Sequence, residues 1–359
     1  MPNAGQPFIL ADEILTKLKT VDGAGSGLDA DLLDGKEASA FPEKLTSSIT
    51  VTVGSGGDFD TISEALDYLV KTYYPIYDKS NQVIQAYIKL LSGFTMQEQI
   101  FLYFIDLSWI CIVSDDLQVS VSTSMLNESR NNYYPVFFGS TGAKLPRIGT
   151  IFSLDSSGTS EPYVGAYIYS DSEVHIDTGK GFINSPHYNV VIERNSRARL
   201  NGATFTGAGN TGIFISDGCV VDCEDVDVSN CETGLYVGNG SVVNAKSITA
   251  NSCSHYGVVV GGGSQACLDG ATVTDAGWDN IYVTSASQVS CELATAADAG
   301  RYGIKSARGS VVNAYNVDAS NAGSYGFRVE EGGIIAAKYA TGTLSQTVNS
   351  ITSNGIIFQ

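Results

Sequence analysis

Apolar residues recur along the C-terminal half of this chain with a fixed period. The segments Thr211-Gly-Ile-Phe-Ile, Thr233-Gly-Leu-Tyr-Val, Tyr256-Gly-Val-Val-Val, Asp279-Asn-Ile-Tyr-Val, Tyr302-Gly-Ile-Lys-Ser and Tyr325-Gly-Phe-Arg-Val align one under another. The register extends back through Tyr188-Asn189 and Val164-Gly165, which makes eight units of 22–24 residues between about 164 and 347. Each unit carries apolar residues at its positions 3 and 5, as in Val258 and Val260. A second pair follows at 11 and 13 (Ala266/Leu268, Val289/Cys291), and a third at 16 and 18 (Ala271/Val273, Val317/Ala319). A spacing of two is the strand period, so each unit predicts three short strands. That is the coil of a parallel β-solenoid, with coils stacked about 4.8 Å apart. Leucine-rich repeats share the period, but their Leu/Asn template is absent. Gly218, Gly240, Gly263, Gly309 and Gly332 share unit position 8, where a repeated turn with positive φ is expected.

Composition narrows the function. The 359 residues include 39 Gly, and 20 Lys+Arg against 38 Asp+Glu leave a net charge of −18. Phosphate contacts need clustered cations, so a general nucleic-acid binder is excluded. Frequent Gly, Val, Ile and Tyr argue against a helical bundle. Hydrophobic content of 43% argues against disorder. Residues 1–20 lack a basic then apolar leader, so no signal peptide is expected. The run Gln99–Val113 is too short to span a bilayer and is broken by Asp106. Seven Cys occur without a CxxC pair or a His cluster, so buried free thiols are expected, with no metal and no cofactor. Cys223 and Cys291 fall on inward position 13, and Cys231 and Cys253 on position 21 of adjacent coils.

The front of the chain has a different texture. Ile49-Thr-Val-Thr-Val53 reads as a strand, Gly54 to Phe59 as a Gly turn, and Asp60 to Val70 as an amphipathic helix. Ile62, Ala65, Leu66, Leu69 and Val70 share one helix face, and Asp60 or Thr61 is the N-cap, with Glu64 in the first turn. Strands follow within Val83–Leu91 and at 100–105 and 109–113. The segments Thr123–Pro135 and Ser153–Pro162 read as loops projecting from the coils, favoured places for binding.

The order strand, helix, strands resembles the start of pectin-lyase-like right-handed parallel β-helices, where a short helix caps the open end of the solenoid. Gly27-Leu-Asp-Ala-Asp-Leu-Leu-Asp-Gly35 is similar to a connector motif of bacteriophage tail fibres and tailspikes. The resemblance implies an all-β, single-stranded right-handed β-helix assembled as a homotrimer. It would attach to a phage tail or baseplate protein, act in the virion after assembly in the bacterial host cytoplasm, and recognise a host surface polysaccharide. The implied layout is 1–48 virion attachment, 49–75 strand and cap helix, 76–163 irregular coils with loops, 164–347 regular coils, and 348–359 C-terminal cap.

Stacking converts the period into a surface map. His255, Tyr256, Trp278, Asp279, Arg301, Tyr302 and Tyr325 form a ridge along one corner, with His187-Tyr188 further back. Aromatic plates with adjacent polar groups suit sugar rings. The blander alternative is that the rings cover the turn backbone. Outward on the second strand, with Tyr167 and Asp177 nearby, Glu173 should lie beside Arg197 and His175 beside Arg199. A modest surface ion pair is expected there, with an anionic-sugar site as the alternative. For hydrolysis, two carboxylates are needed about 5–9 Å apart. Asp275 and Asp298 share position 20 in adjacent coils, and Asp225 and Asp227 are another outward pair. Position 20 also holds Asn230, Ser252 and Asn321, a ladder typical of turns.

No acid pair stands out, and no Ca²⁺ motif specifies a lyase. The sequence therefore favours a fibre or tailspike that binds a host glycan over a polysaccharide depolymerase of the same fold, a hydrolase or lyase. A structural baseplate component is a third alternative.

Overall fold

The computed structural model describes residues 41–76, 84–154, 161–342, 349–351 and 355–358, with a short antiparallel pair at Leu32–Leu33 and Lys36–Glu37. Most of the tail-fibre-like run, most of 1–48, and residues 155–160 of the second expected loop lie outside the described residues. Contacts divide the chain into 1–46 with 67–84, and 47–66 with 85–359. In the smaller unit Glu43–Lys44 pairs in parallel with Tyr73–Tyr74.

The larger unit is a parallel β-solenoid. Its longest sheet stacks eleven strands, from Ile100–Tyr103 through Thr211–Ile215 to Asn349–Ile351. Beside it runs a nine-strand sheet of three-residue strands, from Glu173–His175 to Ile356–Phe358. These are called the long-strand and short-strand sheets below. The predicted register holds residue for residue: Val258 pairs with Ile281, and Val243 with Ala266.

The third predicted strand is reduced. Strands Thr95–Met96, Val119–Val121, Ile151–Leu154 and Gly181–Ile183 form a small sheet in the early coils. In the regular coils it continues only as single-residue bridges, Thr204–Asp227–Thr249–Thr272–Thr295–Asp318–Thr341. Tight turns on both sides leave one residue per coil free to pair, while Ala271 and Val273 on either side of Thr272 still point inward and are buried.

Left-handed turns explain much of the Gly content. The position-8 Gly have φ of 71–75°, and Asn195 and Ala286 occupy the same conformation in their coils. Gly257, at position 2, serves another purpose: a Cβ there would lie 2.1 Å from Val273 Cγ1, so the site requires absence of a side chain. Buried Ser241, Ser264, Ser287 and Ser310 form an internal ladder at position 9, each Oγ accepting the backbone N–H of the residue one coil earlier. All seven Cys are free, and six of them are buried.

The helix spans Ile62–Thr72. Thr61 is its N-cap: Oγ1 accepts the Glu64 N–H, and Glu64 accepts the Thr61 N–H in return, a capping box. Glu98 adds a clamp from the following coil, accepting the N–H of Ile62 at 2.6 Å and of Ser63 at 3.1 Å. Ile62, Ala65, Leu66 and Leu69 are buried, whereas Val70 is only half-buried.

The loop 123–135 does not project. Gln99 holds it through Glu128 and Pro135, and Arg130 lies over Phe101 and donates to the Tyr103 hydroxyl. It covers the outer face of the long-strand sheet, where Phe138, Tyr167, Tyr188 and Val191 form a second apolar cluster with Tyr133. Tyr167 faces out from its coil as expected, yet it is fully buried by this loop, and its hydroxyl joins Asn131 and Glu193.

Candidate functional site: a groove along the short-strand sheet

The ridge on the long-strand side is assembled as its register predicts. Asp279 is buried, and Arg301 one coil later grips it with two bonds of 2.8 Å. Trp278 packs against His255 at 4.4 Å and Tyr256 at 5.3 Å between ring centroids. His255 Nδ1 lies 2.9 Å from Glu232. Two residues absent from the sequence expectation join here. Lys305 sits over the rings of Tyr282 and Tyr302, Arg328 over those of Tyr302 and Tyr325, and both pair with Glu330. Their position 4 was legible as the outward residue between the two inward ones.

Ring orientation limits what this ridge offers a sugar. Phe214 and Tyr236 stack at 4.8 Å and 2° between planes, Tyr302 and Tyr325 at 6.1 Å and 18°. Coil stacking turns these rings face to face along the solenoid axis, so they present edges outward. Trp278, 45% exposed, is the ridge ring with the most open surface.

Pronounced depressions lie on the short-strand side. Three contiguous depressions of about 190, 450 and 650 Å³ follow its outer face from Lys144 to Val311. Alternation places the middle residue of each short strand inward and its two neighbours on this face. The C-terminal part of the groove is lined mostly by neutral groups, with Gln265, Gln288 and Asn313 among them, by Val242 and Val311, and by one cation, Lys246. Asp222 is held by the amides of Asn201 and Asn244, and Asp269 by Ser290, so these carboxylates are already occupied.

The N-terminal end is charged. Glu173 pairs in register with Arg197, and His175 with Arg199, as the period predicts. The expected ion pair does not form: the Arg197 guanidinium and the Glu173 carboxylate are register neighbours but are not joined by a salt bridge. The guanidinium groups of Arg197 and Arg199 have no ion-pair or hydrogen-bond partner among the described residues. Arg147 instead takes Asp177, whose carboxylate lies 3.8 Å from His175 Nε2. Burial, then Arg147, hold the His175 pKa below its usual value against the opposing pull of Asp177. This disfavours the protonated imidazole of His175, which stands beside Arg199 in the smallest of the three depressions.

Asp275 and Asp298 occupy left-handed turns, both with φ of 59°, as do Asn230, Ser252 and Asn321 at the same position. Both are exposed and outside the groove. Asp225 is likewise a left-handed turn residue, while Asp227 belongs to the single-residue bridge ladder. Among the described residues no group of three or more His, Cys, Asp or Glu is placed to hold a metal ion, and no helix is long and apolar enough to cross a membrane.

A comparison with curated proteins finds no match. Among solved structures, the chain is similar to the periplasmic alginate epimerase AlgG, at 13% identity over 77% of each chain with a TM-score of 0.51. A point mutant of that protein gives 14% identity over 77% of each chain and a TM-score of 0.54. The DFA-IIIase from Arthrobacter chlorophenolicus A6 in complex with GF2 follows at 11% identity, 72% of this chain, 77% of the other and a TM-score of 0.43. At these identities the likeness is one of fold. The family model for a right-handed β-helix region matches residues 188–340, and the coils of this chain are those of an all-β, right-handed parallel β-solenoid.

Proposed function

We propose that the protein engages an anionic polysaccharide along the short-strand groove and processes it at the groove's charged end. The observation that carries this is the pair of unpartnered guanidinium groups, Arg197 and Arg199, of which Arg199 stands in register with His175, in a chain of net charge −18. A uronate carboxylate set between the two arginines would have its charge balanced there. Its α-proton, made more acidic by that balance, would face His175 as general base. In such an elimination the C–H electron pair becomes a C=C bond as the glycosidic C–O bond breaks. The departing oxygen takes a proton from water. The β-helix likeness to the alginate epimerase is in keeping with this reaction class and adds fold-level support only.

The test uses purified protein with alginate, polygalacturonate and hyaluronate. Unsaturated-uronate absorbance should appear with at least one of them and vanish in His175→Gln while binding persists. Product formation undiminished by that substitution would sink the assignment of His175.

A second reading keeps the groove and omits the chemistry. The tail-fibre-like run Gly27–Gly35 favours a homotrimeric phage fibre, attached through residues 1–48, that uses the groove to adsorb to a host glycan. Saturable binding without any product would select it.

A further inference from the structure

One rim of the groove changes character towards its C-terminal end. Unit position 15 is left-handed in every regular coil from Gly202 onward. It is filled by Gly202, Asp225, Ser247, Gly270 and Asn316, residues that accept φ near +60° readily. Two coils break this rule. Leu293 has φ of 61° and Tyr339 of 60°. Bulky side chains in that region are true outliers. Both are also exposed, Leu293 at 63% and Tyr339 at 64%, so burial does not compensate the strain. Tyr315, 40% exposed, joins them from position 14, its ring 5.5 Å from that of Tyr339 at 82° between planes.

Phe104 shows the same strain and exposure away from the groove, so it is strain and exposure beside the groove that point to a ligand here. The place identifies the ligand. Lys246, at position 14 three coils earlier, and Val311 and Asn313 of the same coil as Tyr315 line the groove, so the coil register sets Tyr315 on the continuation of that rim. Tyr315 and Tyr339 meet edge to face at 82° and stay exposed, unlike the face-to-face columns on the long-strand side. Lys338 covers one face of Tyr339, at 4.8 Å, and tethers that ring.

We propose that Leu293, Tyr315 and Tyr339 form a sugar-stacking rim that takes the apolar C–H face of a pyranose ring at the end of the groove opposite Arg197 and Arg199. The polysaccharide would then be read at two points, by charge at one end and by ring stacking at the other. This rests on the groove being the glycan site.

Wild type, Leu293→Asn, Tyr339→Asn, Tyr315→Ala and the double variant Arg197→Ala/Arg199→Ala are titrated with alginate, polygalacturonate, hyaluronate and dextran. Melting temperature and sedimentation are followed in parallel. Relief of strain should raise the melting temperature of Leu293→Asn and Tyr339→Asn by about 1–3 °C. The polysaccharide that wild type binds should be held about tenfold more weakly by the rim variants. A rim that is part of the packing gives a lower melting temperature and overturns the proposal, as does a changed sedimentation coefficient, which would make the rim a contact between copies. Binding weakened by the arginine substitutions but untouched by the rim variants overturns the rim alone. Failure of wild type to bind all four polymers overturns the groove reading itself.

Discussion

The guanidinium of Arg301 clasps the carboxylate of Asp279 across one coil, Nε to Oδ1 and Nη2 to Oδ2 both at 2.8 Å. Asp279 is fully buried while the arginine side chain is 38% exposed. The pair therefore acts as a lid over an otherwise uncompensated charge. Arg301→Ala should lower stability by about 3–5 kcal/mol, because it strands a buried carboxylate. Adding Asp279→Asn should recover part of the loss. Arg301→Lys should fall between, since an ammonium cannot reproduce the planar two-point contact. Urea denaturation of the four proteins measures this, and a cost below about 1 kcal/mol for Arg301→Ala would contradict it.

Arg197 and Arg199 make the opposite case. With no partner to lose, Arg197→Ala and Arg199→Ala should leave the melting temperature unchanged within about 1 °C. Binding to an acidic polysaccharide should weaken about five- to tenfold per substitution, and the wild-type affinity should fall as salt is raised. Isothermal titration at two ionic strengths checks both statements.

Two pH windows should separate in thermal melts. Burial, the largest cause for both, lowers the pKa of His175 and of His187 in the folded chain. The unfolded state then binds more protons, so their effect is absent above the ordinary value of about 6.5 and stability declines as pH falls below it. Asp58 is held low by the Thr52 hydroxyl and then its N–H, and Asp116 by the Gly93 N–H and then Ser92. Their stabilisation is present above the ordinary value of about 3.9 and is lost only as pH drops through the lower folded value. Replacing both histidines by Gln should flatten the slope between pH 7 and 5 and leave the acid limb in place.

Glu98 links a coil to the helix that precedes it. Glu98→Ala removes the acceptor for Ile62 N–H, Ser63 N–H and the Ser63 hydroxyl. The expected cost is about 1–2 kcal/mol. Hydrogen exchange should quicken first at residues 62–66, with the regular coils unaffected.

The repeat made the coils legible before any coordinates. Within a solenoid, a residue's neighbours along the axis lie one period away in sequence, so pairing of Glu173 with Arg197 and His175 with Arg199 followed from counting. The same counting located the buried residues at positions 3, 5, 11 and 13, and the left-handed turns at position 8. Period alone does not say where a long side chain goes. It placed Glu173 beside Arg197, but the ion pair expected of them does not form. It placed Tyr302 above Tyr325 without showing that their faces would be turned on each other. Folding back of the loop 123–135 onto Tyr167, reduction of the third strand to single bridges, and the concavity of the short-strand face were decided by tertiary structure. Each depends on rotamers and on contacts between segments that are not one period apart, whereas register and inward-facing positions depend only on the backbone repeat.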